Sequence, residues 1–177
     1  PLINGAIDAL MALKLLQSHP RSNGKFGTTG HSRGGTNSFF LADVKLTSKF
    51  LGGTKGFDAI LPEAAECRMA GFFAEPELTS NTTMLVVHGG ADDYTLAKFC
   101  KEHAERIKAP PGKVKIDIKE GWYHAWHHGG KPYKEKMAMT LHDCPDFFVD
   151  NEGRFTNPIW VELSLIHISE PTRPLTI

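Results

Sequence analysis

Apolar residues recur at helical spacing along the first twenty positions of the chain. This repeat predicts an amphipathic helix. Its apolar stripe consists of Ile3, Ile7, Leu10 and Leu13, widened by Ala6, Met11, Leu15 and Leu16. The helix is expected to end near Pro20, because proline disfavours the α conformation in the residue before it.

Short apolar runs and helical segments alternate along the rest of the chain. Strands are predicted over 25–30, 67–74, 84–88 and 114–118, helices over 33–45 and 96–108, and a hairpin over 147–155. The first of these strands is expected to be buried, whereas alternating charge in the fourth indicates a sheet edge. The pattern predicts an α/β fold, in which a mainly parallel sheet with flanking helices forms a three-layer α/β/α sandwich.

Composition and charge exclude several classes of protein. The 177 residues are 23% charged and 41% hydrophobic, which is typical of a folded domain and not of a disordered chain. Lys and Arg together number 20, as do Asp and Glu, so no global basic field attracts nucleic acid or anionic membrane. No apolar stretch approaches the ~20 residues of a membrane span. We therefore expect neither nucleic acid nor membrane as a partner.

The three cysteines are few and scattered. Cys67, Cys100 and Cys144 do not form a disulfide framework or a paired-cysteine metal site by their spacing. They leave the redox compartment open.

Both ends of the sequence look artificial. The chain starts at Pro1 without a signal peptide and runs straight into the predicted helix, which favours a chain cut within a longer gene. From about Leu163 the sequence resembles a translated adapter from a sequencing library, with a natural polar tail as the alternative. We therefore expect a domain over 1–160, truncated at its N-terminus, and a non-native or disordered tail over 161–177.

Residues 30–35 read Gly-His-Ser-Arg-Gly-Gly, a G-x-S-x-G pattern between a predicted strand and a predicted helix. A sharp turn there lifts the Ser32 hydroxyl above the sheet edge, and the crowded backbone is expected to admit only glycine at Gly30 and Gly34. The helix start favours an anionic intermediate, with the backbone N–H of Arg33 as one oxyanion donor. A chance match in a glycine-rich chain is the competing interpretation, which the strand–helix context disfavours.

An acid and a histidine follow in chain order. The third predicted strand leads to Asp92 and Asp93, and the fourth leads to His124. A carboxylate just past a strand end lies on the same rim of the sheet as the nucleophile. Asp92 is favoured over Asp93 because it stands three residues after Gly89, although either residue could simply cap the next helix.

These residues suit the activation of a serine nucleophile. His124 would take the proton of Ser32 as general base, and Asp92 would fix the imidazole tautomer. Four neighbouring side chains are candidates for a substrate pocket: His31, Trp122, Tyr123 and Trp126. His88, at a strand end, is interpreted as structural.

A cluster of histidines follows the same turn. His124, His127 and His128 lack a paired-cysteine partner, and zinc sites need three or four ligands in a set geometry. No metal is therefore expected.

The chain resembles the dienelactone hydrolase family of the α/β-hydrolase fold over about residues 3–150. The resemblance lies in residues 30–35 (GHSRGG), in 89–95 (GGADDYT) with Cys100 behind them, and in 123–126 (YHAW). Family members commonly show a Ser-Arg-Gly-Gly elbow, a G-x-x-D-D-aromatic-Thr stretch and a Tyr-His-Ala-aromatic turn.

The resemblance implies catalysis by Ser32, Asp92 and His124 on small carboxylic esters or lactones. It implies no cofactor, and it favours a cytoplasmic location. Family enzymes that open dienelactones use a cysteine nucleophile, whereas this chain has a serine, so an ordinary serine esterase is the expected activity. A prolyl-oligopeptidase-like peptidase and a non-catalytic hydrolase-fold fragment are the alternatives.

The resemblance also implies that the family's first strands are missing from this chain. Those strands carry the second oxyanion donor, and losing one donor lowers kcat by about 10²–10³-fold. We therefore expect this chain alone to be weakly active or inactive, and its sheet to have an open apolar edge prone to association.

Overall fold

A four-stranded parallel sheet with flanking helices makes up the part of the chain that the computed structural model describes, residues 2–53, 55–70 and 76–131. The strands, which lie side by side in chain order, are β1 (Gly27–His31), β2 (Ala59–Glu63), β3 (Thr83–Gly89) and β4 (Val114–Lys119). The helices are α1 (Leu2–Gln17), α2 (Arg33–Ala42), α3 (Val44–Leu51), α4 (Cys67–Ala70) and α5 (Ala97–Arg106), followed by a 3₁₀ turn over Trp126–His128. None of these helices has the length and apolar character of a membrane span. The predicted hairpin and the tail lie outside the described residues.

Helix α1 confirms the predicted amphipathic helix and ends before Pro20. Leu10 and Leu13 are fully buried, because this face of α1 packs against α2 and α3. The apolar stripe is narrower than predicted. Met11, Leu15 and Leu16 are exposed, since they lie on the side of α1 that faces away from those two helices.

The strand predicted over 67–74 is wrong over 67–70, while 71–74 lie outside the described residues, and β2 is a strand that the sequence analysis did not predict. Cys67 begins the short helix α4 instead, and a short apolar run does not distinguish a strand from a buried helix. Pro62 makes β2 difficult to recognise from the sequence, since proline lacks the N–H that a residue of an inner strand donates to its neighbour. The pairing of β2 with β3 is interrupted between Ile60 and Glu63, where Pro62 lies, so the missing donor is accommodated.

The helix predicted over 33–45 is two helices. Asp43 has an extended backbone (φ −74°, ψ 130°) and ends α2. Its side-chain Oδ1 accepts a hydrogen bond from Lys45 N at 2.8 Å, which caps α3. Burial raises the pKa of the Asp43 carboxyl, while hydrogen bonds from the backbone N–H groups of Glu77 and Lys45 partly offset that rise.

The two outer strands agree with expectation in one respect and differ from it in two. Among the described strands β4 lies at a sheet edge, as its charge alternation predicted. β1 forms the other edge among the described strands, and none of its residues is buried, so the prediction of a buried strand is wrong. The edge is also not apolar, because β1 consists of glycine, threonine and histidine.

A single disulfide joins α4 to α5, although the few scattered cysteines did not indicate a disulfide framework. Cys67 and Cys100 are both buried, and their Cα atoms lie 4.8 Å apart. The sequence could not show this pairing because the chain must first fold back through β3 to bring the two helices together. The two helices are in contact, and both cysteines belong to the hydrophobic core.

His103 makes the stability of this core depend on pH. It is buried in α5, and its ring packs edge-on against Phe39 with 4.9 Å between the ring centroids. Burial, followed by the charge of Arg106, lowers the pKa of His103 from 6.5 to about 3. Between those two pH values the unfolded chain binds a proton that the folded chain does not. The contribution of neutral His103 to the free energy of unfolding is therefore fully present above pH 6.5. It is lost as the pH falls towards 3.

We expect acidification from pH 6.5 to destabilise the protein through His103 by at most about 1.4 kcal/mol per pH unit. Urea unfolding at a series of pH values measures this slope. His103→Gln, which does not titrate, should flatten it, whereas the exposed control His128→Gln should keep it. Equal slopes in all three proteins would contradict the assignment to His103.

Candidate active site

Ser32 lies in a sharp turn between β1 and α2. Its backbone has φ 57° and ψ −118°, and among the described residues only Ala64 is a second non-glycine residue with positive φ. Such a conformation costs about 1–3 kcal/mol and persists only where the surroundings hold it. Ser32 N donates to Glu63 O at 2.8 Å, and Thr36 N donates to Ser32 O at 3.0 Å. These bonds fix the turn between the end of β2 and the first turn of α2.

Two glycines allow the backbone to approach closely at this turn. A Cβ on Gly30 would lie under 3.0 Å from the backbone of Gly34, and one on Gly35 would lie under 3.0 Å from Glu63 O. A Cβ on Gly34 would meet nothing within 4 Å. The crowded positions are therefore Gly30 and Gly35, which corrects the expectation for Gly34. The reason is that α2 meets the end of β2 through Gly35.

His124 reaches Ser32 from the loop after β4. The His124 Nε2 atom lies 2.9 Å from Ser32 Oγ, and the Nδ1 atom lies 2.8 Å from Asp92 Oδ2. A carboxylate only accepts, so the His124 hydrogen is on Nδ1. Nε2 is then free to accept the hydroxyl hydrogen of Ser32. This is the protonation pattern in which an imidazole can remove the serine proton.

Asp92 is buried and fully hydrogen-bonded. Its Oδ1 accepts from the backbone N–H groups of Tyr94 (3.0 Å) and Thr95 (2.9 Å). Burial acts to raise the pKa of Asp92, but the hydrogen bonds from His124 and Thr95 outweigh it and lower that pKa overall. Asp92 is therefore ionised at neutral pH.

Backbone contacts bring the Asp92 loop and the His124 loop together. Gly90 N donates to Lys119 O at 2.8 Å, and Ala91 N donates to Trp122 O at 3.0 Å. A Cβ on Gly89 would lie under 3.0 Å from Trp122 O, so glycine is required there. The two loops follow the neighbouring parallel strands β3 and β4, whose carboxyl ends meet at one rim of the sheet.

His31 anchors the His124 loop. Its Nε2 atom donates to His124 O at 2.7 Å. Burial lowers the pKa of His31 and, with the charges of His124 and His127, outweighs the raising effect of this hydrogen bond. His31 is therefore neutral at pH 7, and its contact is a structural one next to Ser32.

Aromatic rings lie in a row beside these residues. The His31 ring centroid is 5.4 Å from that of Trp126, which is 5.4 Å from that of Trp122. Trp122 and Tyr123 are exposed. The structure thus brings the rings of His31, Trp122 and Trp126 together, and Tyr123, next to Trp122 in the chain, is exposed.

Arg33 is the first residue of α2. Its backbone N–H therefore has no carbonyl partner within its own helix. It follows Ser32 directly, at the positive end of the helix dipole. An N–H in this position suits a developing negative charge next to the serine oxygen.

Tyr94 and Thr95, near the site, were given no role in the sequence analysis, and His88 was interpreted there as structural. Tyr94 packs edge-on against the His124 ring at 4.8 Å, and Thr95 Oγ1 lies 3.2 Å from His124 Nδ1. His88 is fully buried with Nδ1 3.9 Å from Asp92 Oδ2. The positions of Tyr94 and Thr95, two and three residues after an aspartate, are those that bind an Asp side chain in a turn, and this signal could have found them.

No group of three or more His, Cys, Asp or Glu side chains suited to a metal ion occurs among residues 2–53, 55–70 and 76–131. The histidines at 124, 127 and 128 instead take part in ring contacts and in the hydrogen bonds described above.

Comparison with known proteins identifies the fold. No protein-family model matches this chain, and no curated protein matches it. An α/β hydrolase enzyme from a Medee basin deep-sea metagenome library is similar with a TM-score of 0.50 and 20% identity, over 74% of this chain and 52% of that chain. Est2, a thermophilic esterase from Thermogutta terrifontis, is similar with a TM-score of 0.49 and 18% identity, over 68% of this chain and 56% of that chain. A serine hydrolase from Xanthomonas campestris is similar with a TM-score of 0.47 and 16% identity, over 69% of this chain and 49% of that chain.

The described residues have the α/β-hydrolase fold, as the order of strands and the deep-sea hydrolase both show. The predicted fold class is thereby confirmed. This chain spans about half the length of these solved structures. Likeness at such identities shows the fold alone.

Proposed function

We propose that this chain is the catalytic part of a serine hydrolase that cleaves carboxylic esters or lactones. The observation that carries the proposal is the continuous line of hydrogen bonds from Ser32 Oγ through the His124 ring to Asp92, with distances of 2.9 and 2.8 Å. Nucleophile, base and orienting acid within hydrogen-bond reach of one another are the signature of nucleophilic catalysis.

The reaction starts when Ser32 Oγ attacks the ester carbonyl carbon and His124 Nε2 takes the hydroxyl proton. Asp92, held ionised, stabilises the imidazolium that forms. The negative charge moves to the carbonyl oxygen, towards the N–H of Arg33. Collapse of this intermediate breaks the bond to the alcohol, which leaves with the proton from His124. Water then attacks the acyl-serine by the same steps and releases the acid.

The aromatic row beside the serine is proposed to form the wall of the substrate pocket. Trp122 and Trp126 offer flat apolar surface next to His31, and the exposed side chain of Tyr123 follows Trp122 in the chain. Such surfaces exclude water and bind apolar acyl or alcohol groups. The resemblance to dienelactone hydrolases supports small esters or lactones as the substrates.

Labelling with a fluorophosphonate tests the proposal. The probe forms a bond with an activated serine oxygen and so reports activation even where turnover is slow. We expect one adduct, located by mass spectrometry on Ser32 and absent from Ser32→Ala. Ser38→Ala is the matched control, because Ser38 is a buried serine in α2 whose hydroxyl donates to Gly34 O. Failure of Ser32 to react, or equal labelling of both variants, would overturn the proposal.

A further inference from the structure

Thr95 places a buried hydroxyl at the centre of the hydrogen-bond network behind His124. Its side chain is buried, and its Oγ1 atom lies within hydrogen-bond distance of four polar groups. These are Asp92 Oδ2 at 3.0 Å, His124 Nδ1 at 3.2 Å, Ala64 O at 3.2 Å and His88 Nε2 at 3.4 Å. A buried polar group with this many neighbours is held in one orientation.

A hydroxyl has one hydrogen to donate, so only one of these groups receives it. The His124 Nδ1 atom carries its own hydrogen and offers no acceptor. Asp92 Oδ2 is charged, whereas Ala64 O is neutral, and a hydrogen bond to a charged acceptor is about twice as strong. The Thr95 hydrogen therefore points to Asp92 Oδ2, the same oxygen that accepts from His124.

The Thr95 Oγ1 atom, which donates its hydrogen to Asp92, can then accept a hydrogen bond from His88. His88 Nε2 faces two acceptors, Thr95 Oγ1 at 3.4 Å and Ala65 O at 3.3 Å. A hydrogen on Nε2 serves both of these contacts, while Nδ1 lies 3.1 Å from Gly89 O and 3.9 Å from Asp92 Oδ2. His88 is fully buried, so the chain of contacts from His88 to Thr95 to Asp92 is shielded from water.

We propose that Thr95 is a positioning residue, whose hydroxyl holds Asp92 Oδ2 in line with His124 Nδ1. The proposal rests on the proposed function and names a residue that the triad itself does not include. The backbone N–H of Thr95 already binds Asp92 Oδ1. The backbone N–H of Tyr94 binds the same oxygen. The Thr95 hydroxyl adds a constraint on the other oxygen, Oδ2, without which the carboxylate can rotate about its bond to Cβ and move away from His124 Nδ1.

The test compares Thr95→Val, which removes the hydroxyl at nearly constant shape, with Thr95→Ser, which keeps it. We expect phosphonate labelling of Ser32 to slow by about 10- to 100-fold in Thr95→Val, as the loss of one hydrogen bond to a charged group allows. Thr95→Ser should restore most of the rate. Thr82→Val is the matched control, because Thr82 is a buried threonine whose hydroxyl donates to Phe57 O.

A spectroscopic measurement separates this proposal from the proposed function. The far-downfield proton NMR signal of His124 Nδ1–H reports its bond to Asp92 without any reaction at Ser32. We expect the signal to move upfield or disappear in Thr95→Val and to remain in Thr95→Ser and Thr82→Val. An unchanged signal in Thr95→Val, or an equal loss of labelling in Thr82→Val, would overturn the role of Thr95. If Thr95→Val does not fold, the same comparison is made between Thr95→Ala and Thr95→Ser.

Discussion

Asp92→Asn is expected to slow phosphonate labelling of Ser32 by about 10⁴-fold. The amide nitrogen of the new side chain donates, so a donor would face His124 Nδ1 where a carboxylate now accepts. His124 would then carry its hydrogen on Nε2, which faces Ser32 Oγ and could no longer take its proton. The expected loss is large because the change alters the protonation pattern of the base while leaving its position intact.

Asp93→Asn is the matched control for this substitution. Asp93 is the adjacent carboxylate and is exposed, whereas Asp92 is buried and hydrogen-bonded to His124. Labelling of Asp93→Asn should proceed at the rate of the unchanged protein. The rates are measured as second-order constants with an excess of fluorophosphonate, and unfolding midpoints establish that both variants are folded. If Asp93→Asn loses labelling and Asp92→Asn keeps it, Asp93 is the acid and our assignment is wrong.

The fold could be predicted where a local residue pattern and the order of the strands indicate the same arrangement. The turn at Ser32 combines a strand, a G-x-S-x-G pattern and a helix, and each of these is visible within ten residues. The meeting of Asp92 with His124 follows from their positions just after two neighbouring parallel strands. Which residues share the sheet rim was therefore readable from the sequence, while their catalytic roles stay predictions.

Other features depend on contacts between distant segments, which sequence patterns do not contain. Inner strands rarely contain proline. Pro62 is accommodated in β2 only because the pairing of β2 with β3 is interrupted beside it. Gly35 is required by the end of β2, 28 residues further along the chain at Glu63. Thr95 gains its neighbours from three separate segments, namely the turn after β2, strand β3 and the loop after β4. In each case the constraint is tertiary, so only the folded arrangement shows it.

Removing the disulfide between Cys67 and Cys100 is expected to lower the free energy of unfolding by about 2–4 kcal/mol. The two residues are 33 positions apart, and joining them restricts the unfolded chain while adding little constraint to helices that already touch. Urea unfolding should therefore show a lower midpoint for Cys67→Ala/Cys100→Ala than for the oxidised protein. A reductant should produce a similar drop in the oxidised protein and none in the double variant.

A Cys144→Ala background provides the control for this comparison, because it removes the third thiol and with it any exchange with the pair. In that background alkylation under denaturing conditions should modify no cysteine before reduction and two after it. Two modified cysteines before reduction would show that the bond does not form, and an unchanged midpoint on reduction would show that it does not stabilise the fold. Since α5 follows directly on the loop of Asp92 and Thr95, loosening α5 from α4 should also raise the rate of backbone amide exchange in that loop.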